Sequence, residues 1–326
     1  MKAAVWRGDG TLEVVDRPVP EPRPGWVRVR VAAVGICGTD LHFFRGSFPS
    51  PAGLLPGHEI GGSLDAVGEG VDLIAGAAVA VEPLVGCGHC ASCASGQQNR
   101  CRQRVLYGIS ARGGLAEYAT VPAPCIYPLG DGLSAADGAL VEPLAVCARA
   151  IRLAGIGLGD RVAVLGAGTI GLLSVLCARV AGATTVEFAP RHAAQEALGV
   201  AYGATLLAST EFDVVIETVG GHADTLTQAM SLVRPGGTIC MLGVFDAPVA
   251  FPAFDCSMKE ARLVSSNCYS RTQARTDFAI AVDLLVQHAD LVRELVTHRY
   301  SLDEVNEAFA TAADKSTGSI KVMIVP

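Results

Sequence analysis

From Arg161 the chain reads as a buried strand, Arg161-Val-Ala-Val-Leu165, that breaks into Gly166-Ala-Gly168-Thr169-Ile170-Gly171 and continues as an apolar helical run to about Val180. A strand, a glycine-rich turn and a helix in that order make one crossover unit, and apolar strand-like runs at 184–188, 212–217 and 238–242 continue the pattern. The expected fold class is therefore α/β, with a doubly wound parallel sheet. In such a unit Gly166 permits the tight turn, Gly168 lets backbone approach a pyrophosphate, and Gly171 lets the helix pack on the sheet. The N–H groups that open the helix then face the anion. A mere packing loop is the bland alternative, and the strand-turn-helix context disfavours it.

About 20 residues beyond the glycines, a strand of this kind should end in an acid that holds the adenine ribose hydroxyls. Pro190 occupies that place and Arg191 follows it, a pairing that suits a 2′-phosphate and favours NADP. If the strand ends early, Glu187 could hold the ribose and the cofactor would be NAD. Between the third and fourth strands, residues 204–213 leave no room for the usual crossover helix, which is expected to be absent.

Before this region the pattern differs. Short runs such as Val27-Arg-Val-Arg-Val and Ala77-Ala-Val-Ala-Val alternate with Gly/Pro turns, which predicts a folded-over β-rich domain. The expected organisation is a β-rich catalytic domain over 1–146, a Rossmann domain over 147–288, and a return of 289–326 to the first domain. With 326 residues, half of them hydrophobic, the chain can bury two cores.

Within the β-rich part stand Cys87, Cys90, Cys93 and Cys101, in a lobe spanning about 86–102. Two-residue gaps between thiolates, with a fourth close by, fit a closed tetrahedral zinc cage that is structural rather than catalytic. Disulfides are the competing reading. The start, Met1-Lys-Ala-Ala-Val-Trp-Arg-Gly-Asp-Gly, breaks into charge and glycine before a signal-peptide core could form, so a reducing, cytoplasmic setting is expected. The other cysteines outside the sites named here are read as buried thiols. A formal charge of −7 with no basic run argues against nucleic acid and anionic membrane partners, and no apolar stretch reaches the ~20 residues of a membrane span.

Three further segments carry metal-ligand chemistry: Cys37-Gly-Thr39-Asp40-Leu-His42, Gly57-His58-Glu59 and Val141-Glu142-Pro-Leu. Each is ordinary alone, as a buried thiol, a core histidine or a helix-start acid. Together Cys37, His58 and Glu142 give the three protein ligands that a catalytic zinc needs, with a fourth position open. On these segments, the four-cysteine lobe and Gly166 to Gly171, the chain resembles zinc-dependent medium-chain alcohol and polyol dehydrogenases, in the branch of the sorbitol, threonine and butanediol enzymes.

The resemblance implies a GroES-like catalytic domain beside the Rossmann domain and two zinc ions per chain, one catalytic and one structural. It implies Glu59 as an exchanging ligand and Asp40 as the group that orients His58. It also implies a proton path from a substrate hydroxyl through Thr39 to His42, and hydride transfer between a secondary alcohol, diol or polyol and NAD(P). Cofactor contacts are implied for Thr169, Ile170, Val219, Leu242, Gly243, Val244, Cys268 and Tyr269, and a homodimer or homotetramer for the assembly. Phe43, Phe44, Arg45 and Phe48 are expected either at the substrate pocket or in the core. Sorbitol-type relatives carry an arginine near the place of Cys268, which argues against a long polyol. A zinc-free reductase on the same fold would have no use for Cys37, His58 and Glu142 together. A nucleotide-binding sensor or scaffold without turnover is the alternative from another class.

Overall fold

A computed structural model describes residues 1–272 and 275–326. The chain divides into two compact units, Met1–Glu142 with Ser270–Pro326, and Pro143–Tyr269.

The first unit is built on a seven-stranded sheet. Its strands are β1 (Trp26–Gly35), β2 (Glu59–Val67), β3 (Ala78–Val81), β4 (Tyr118–Pro122), β5 (Ile126–Pro128), β12 (Val296–Ser301) and β13 (Lys321–Val325). They run in the order β12-β13-β1-β2-β3-β5, with β4 also paired to β1. In β1 the alternation is strict at first: Val27, Val29 and Val31 are buried, while Arg28 turns out to Asp65, as a half-solvated antiparallel strand requires. Helix α1 (Gly38–Phe44) follows β1 directly, and α8 (Val305–Ala313) covers the same core through Phe309.

The second unit is the doubly wound sheet. Its strands β6 (Arg161–Leu165), β7 (Thr185–Ala189), β8 (Thr205–Leu206), β9 (Phe212–Glu217), β10 (Val233–Met241) and β11 (Arg262–Ser265) lie in the order β8-β7-β6-β9-β10-β11, all parallel. Helices α3 (Thr169–Val180), α4 (Ala193–Ala201), α5 (Thr225–Leu232) and α6 (Ala253–Lys259) connect them. Val162, Ala163, Val164 and Leu165 of β6 are all buried, as expected for a strand covered on both faces. No helix separates β8 from β9. The short link instead donates the Ala208 and Ser209 N–H groups to Glu187 Oε2, at 2.8 and 2.9 Å.

The boundaries differ from the sequence expectation at both crossings. The first falls inside α2 (Val141–Ala154), just after Glu142. The second falls at Ser270 rather than 289, because α7 (Asp277–Arg293) packs on β5 of the first unit and its N-cap Thr276 bonds Tyr127 there, oxygen to oxygen at 3.0 Å.

Candidate active site

The first unit gathers its chemistry where β1 ends, α1 begins and β2 starts. Cys37 is extended (φ −91°, ψ 159°) and takes the N-cap position of α1, while its backbone N–H donates to Asp40 Oδ2 at 3.0 Å. That contact closes a capping box and fixes Asp40 in the first turn, buried. Register then brings in the opposite strand: Gly35 of β1 pairs with Glu59 of β2. A Cβ on Gly35 would collide with Glu59 Oε2, so this glycine makes room for the carboxylate.

One ligand atom each from Cys37, His58 and Glu59 lies within 4.8 Å of the others. Glu142 stands outside that set, although it is buried in the first turn of α2 and its charge acts on His58. Burial pushes the Glu142 carboxyl up to about 7, against the pull of His58 and Lys321 and with the help of Glu59. Burial opposes a charge on His58 too, yet the negative charges of Asp40, Cys37 and Glu142 hold its imidazole well above the ordinary value. His58 Nδ1 stands 3.7 Å from Asp40 Oδ1, and both are buried atoms without a hydrogen bond. Such atoms are costly where no ligand organises them. Soft sulfur, imidazole nitrogen and carboxylate oxygen brought together, the last two buried, form a donor set that suits zinc.

Sequence reasoning did not find Lys321. Its ammonium donates to both Glu59 oxygens, at 2.7 and 2.6 Å, and to the Ile36 carbonyl at 3.1 Å. The available signal was a lone charge inside the end strand Ile320-Lys-Val-Met-Ile-Val, since a lysine there must find a buried partner.

Thr39 Oγ1 lies 3.9 Å from the Cys37 sulfur. One turn on, the His42 ring stacks on Phe48 with centroids 4.9 Å apart. Phe43 and Phe44 are core residues, packed against Trp6 and Phe309. Arg45 donates to the Ala313 carbonyl.

The sulfurs of Cys87, Cys90, Cys93 and Cys101 also lie within 4.8 Å of one another, in a lobe closed by the short pairing of Leu84–Val85 with Val105–Leu106. Backbone N–H groups of His89 and Cys90 lower the Cys87 thiol to about 6. The Gly88 N–H favours the Cys93 thiolate, but desolvation and the other three sulfurs push that thiol up to about 11. Four sulfurs this close form a donor set that fits one tetrahedral zinc.

In the second unit the glycine turn stands as expected. Gly166 is left-handed (φ +98°), and a Cβ on it would lie 2.6 Å from Thr218 Oγ1. Gly168 is the N-cap of α3, Thr169 and Ile170 open the helix, and a Cβ on Gly171 would strike the Gly166 carbonyl. Arg191 is exposed just before α4. Although desolvation opposes it, the Ala208 and Ser209 N–H groups hold the Glu187 carboxyl below its ordinary value, so this acid is engaged by the backbone of the link after β8. Val219 and Val244 are exposed just beyond β9 and β10, and Leu242 and Gly243 lie between the end of β10 and Val244. Cys268 is left-handed (φ +55°) and half-buried, and Tyr269 beside it is fully buried.

Comparison with known proteins agrees with this arrangement. Residues 23–131 match the family described as the alcohol dehydrogenase GroES-like domain, and residues 135–325 match the glucose dehydrogenase C-terminus. An L-idonate 5-dehydrogenase of Vitis vinifera is 31% identical, over 98% of this chain and 93% of the relative. A zinc-binding dehydrogenase from Sinorhizobium meliloti 1021, solved with NADP, superposes with a TM-score of 0.91 at 35% identity, covering 100% of this chain and 99% of its own. An alcohol dehydrogenase from Escherichia coli CFT073, solved with NADH, gives 0.89 at 29% identity, over 100% and 99% of the two chains.

Proposed function

The chain belongs to the zinc-type medium-chain alcohol and polyol dehydrogenase family, and we propose that it moves a hydride between a secondary alcohol, diol or polyol and NAD(P), with zinc at two sites. The observation that carries this reading is the convergence of half-buried Cys37 with buried His58 and Glu59 at the start of a helix that presents Thr39 and His42.

Cys37, His58 and Glu142 would hold the catalytic metal, with Glu59 as an alternate ligand, and the four cysteines of the lobe would hold the structural one. Two facts support Glu142 over Glu59 as the lasting third ligand. Lys321 already neutralises Glu59, whereas Glu142 has its carboxyl pushed up to about 7 by burial, a cost that a nearby cation relieves. Zinc, when bound, supplies a Lewis acid that makes a substrate hydroxyl easier to deprotonate. The nicotinamide supplies the hydride acceptor or donor.

The protein's own work is proton handling and orientation. Thr39 Oγ1, next to the Cys37 sulfur, accepts the proton of the substrate hydroxyl and passes on its own. His42, one turn further along α1 and held by its stack on Phe48, receives that proton and releases it to solvent. Asp40, fixed by the Cys37 N–H, faces His58 Nδ1 and sets the direction of that ring.

Commitment of Glu187 to the link after β8 leaves exposed Arg191 as the group suited to an adenine ribose phosphate, which supports NADP. A homodimer or homotetramer is supported by the edge position of β11 and by exposed Phe254 and Met258 on the helix before it. Among the described residues, no helix is long and apolar enough to cross a membrane.

Metal analysis and turnover together test the reading. Purified protein should carry two zinc ions and oxidise members of a diol and polyol panel. Cys37→Ser should remove one zinc and all turnover, and Cys101→Ser should remove the other zinc. Bound nucleotide without turnover on any alcohol or ketone would instead favour the sensor reading.

A further inference from the structure

In the order β8-β7-β6-β9-β10-β11, the winding reverses between β6 and β9. Ligands of such sheets lie beyond the carboxyl ends of the strands at that reversal, one mononucleotide on each half. The last residue of β9 is Glu217, a fully buried carboxylate that makes no ion pair among the described residues.

Its contacts all go to the chain around that crevice. Oε1 accepts from the backbone N–H groups of Val219 and Gly220, at 2.7 and 2.9 Å, and from the Thr225 hydroxyl at the start of α5, at 2.8 Å. The Glu217 carbonyl accepts from Leu242 N at 2.8 Å and Gly243 N at 3.1 Å, beyond the end of β10. A further bond, Gly221 N to Val244 O at 2.8 Å, ties the two loops to each other. Oε2 has no hydrogen bond, and a Cβ on Gly243 would collide with it. Thr218, the next residue, donates its N–H and hydroxyl to the Leu165 carbonyl at 3.0 and 2.8 Å, just before the glycine turn.

We propose, resting on the assignment of a dinucleotide to this crevice, that Glu217 is the positioning residue for the nicotinamide half of the cofactor. Its carboxylate holds loop 218–221 directly, and the Gly221 N–Val244 O bond carries that hold to loop 242–244, which the Glu217 carbonyl also fixes; the two loops would cradle that half. A fully buried carboxylate with one oxygen unsatisfied works against stability, a cost that a purely structural strand end has no need to carry. The adenylate half belongs to β6, β7 and the glycine turn, which Glu217 does not hold.

The experiment compares binding of NAD(P)H with binding of its adenylate fragment, 5′-AMP or 2′,5′-ADP, by calorimetry in Glu217→Gln and in Thr225→Val. Thr225→Val removes one donor to the same oxygen and keeps the carboxylate, which guards against a Glu217 variant that fails to fold. Exchange of the charged acceptor for a neutral amide should weaken NAD(P)H roughly 10-fold in Glu217→Gln, and loss of one donor should weaken it less in Thr225→Val, while the fragment stays within about twofold. With substrate, KM for the cofactor should rise more than kcat falls. Equal weakening of NAD(P)H and fragment, or no change in either, would overturn the proposal. Wild-type protein that binds neither would overturn the dinucleotide reading itself, a distinct result.

Discussion

Lys321 Nζ closes on both carboxylate oxygens of Glu59, at 2.7 and 2.6 Å, with the two side chains 2% and 1% exposed. The pair joins the last strand of the chain to the strand that follows His58. Removing one member leaves the other charge buried alone. Lys321→Met should therefore cost about 3 kcal/mol or more in urea denaturation, and Lys321→Met with Glu59→Gln should recover most of it. A loss below about 1 kcal/mol in the single variant would mean that Glu59 finds another partner.

Glu82 gives the fold a pH dependence of its own. It is buried, accepts hydrogen bonds from Gln98 Nε2 at 2.5 Å and Tyr127 OH at 2.8 Å, and burial pushes its carboxyl up to about 7 from 4.5. Asp277 adds to that rise, while the two donors and Arg271 oppose it. With the folded value above the unfolded one, the folded chain binds the proton more tightly. The resulting stability is fully present below the unfolded value and is lost as pH rises through about 7. The size is on the order of 3 kcal/mol. Glu82→Gln should flatten this slope, measured as the difference in unfolding free energy between wild type and variant at pH 4.5 and pH 8. Parallel curves for the two proteins would remove Glu82 as the source.

His42 acts one step away from the substrate, through Thr39. His42→Ala should lower turnover about 100-fold, most strongly at low pH where solvent base is scarce, with partial rescue by added imidazole. Phe48→Ala, which frees the ring from its 4.9 Å stack, should give a smaller loss without a new pH dependence. An unchanged pH-rate profile in His42→Ala would take it out of the proton path.

Local chemistry was legible in the sequence and distant pairing was not. The spacing of Cys87, Cys90, Cys93 and Cys101 and the turn Gly166 to Gly171 announce themselves because each works within a few residues of chain. Cys37, His58 and Glu142 stand in three separate segments that only ligand count and resemblance could join, and the structure draws Glu59 rather than Glu142 into the close set. Lys321 was missed because its partner is 262 residues away, a distance that no local pattern spans. Glu217 read as the end of an apolar strand, since only the folded loops show where its carboxylate points. The second crossing between units was placed too late because α7 has the period of any amphipathic helix, and periodicity does not say which sheet it covers.

Cofactor choice turns on the contrast between Glu187 and Arg191. An acid at the end of the second strand selects NAD by bonding the ribose hydroxyls and repelling a 2′-phosphate. Here the acid lies within β7 and is spent on the Ala208 and Ser209 N–H groups, because the link from β8 to β9 has no helix to satisfy its own backbone. Arg191 remains exposed with five donors suited to a phosphate. NADPH should therefore bind more tightly than NADH in a fluorescence titration, and Arg191→Ala should weaken NADPH roughly 10- to 100-fold while NADH changes less than about twofold. Glu187→Gln should lower stability through the link and leave the preference in place. Equal loss of both cofactors in Arg191→Ala would show that the guanidinium serves the fold, and preference for NADH in the wild type would show that backbone groups, without an acid, hold the ribose.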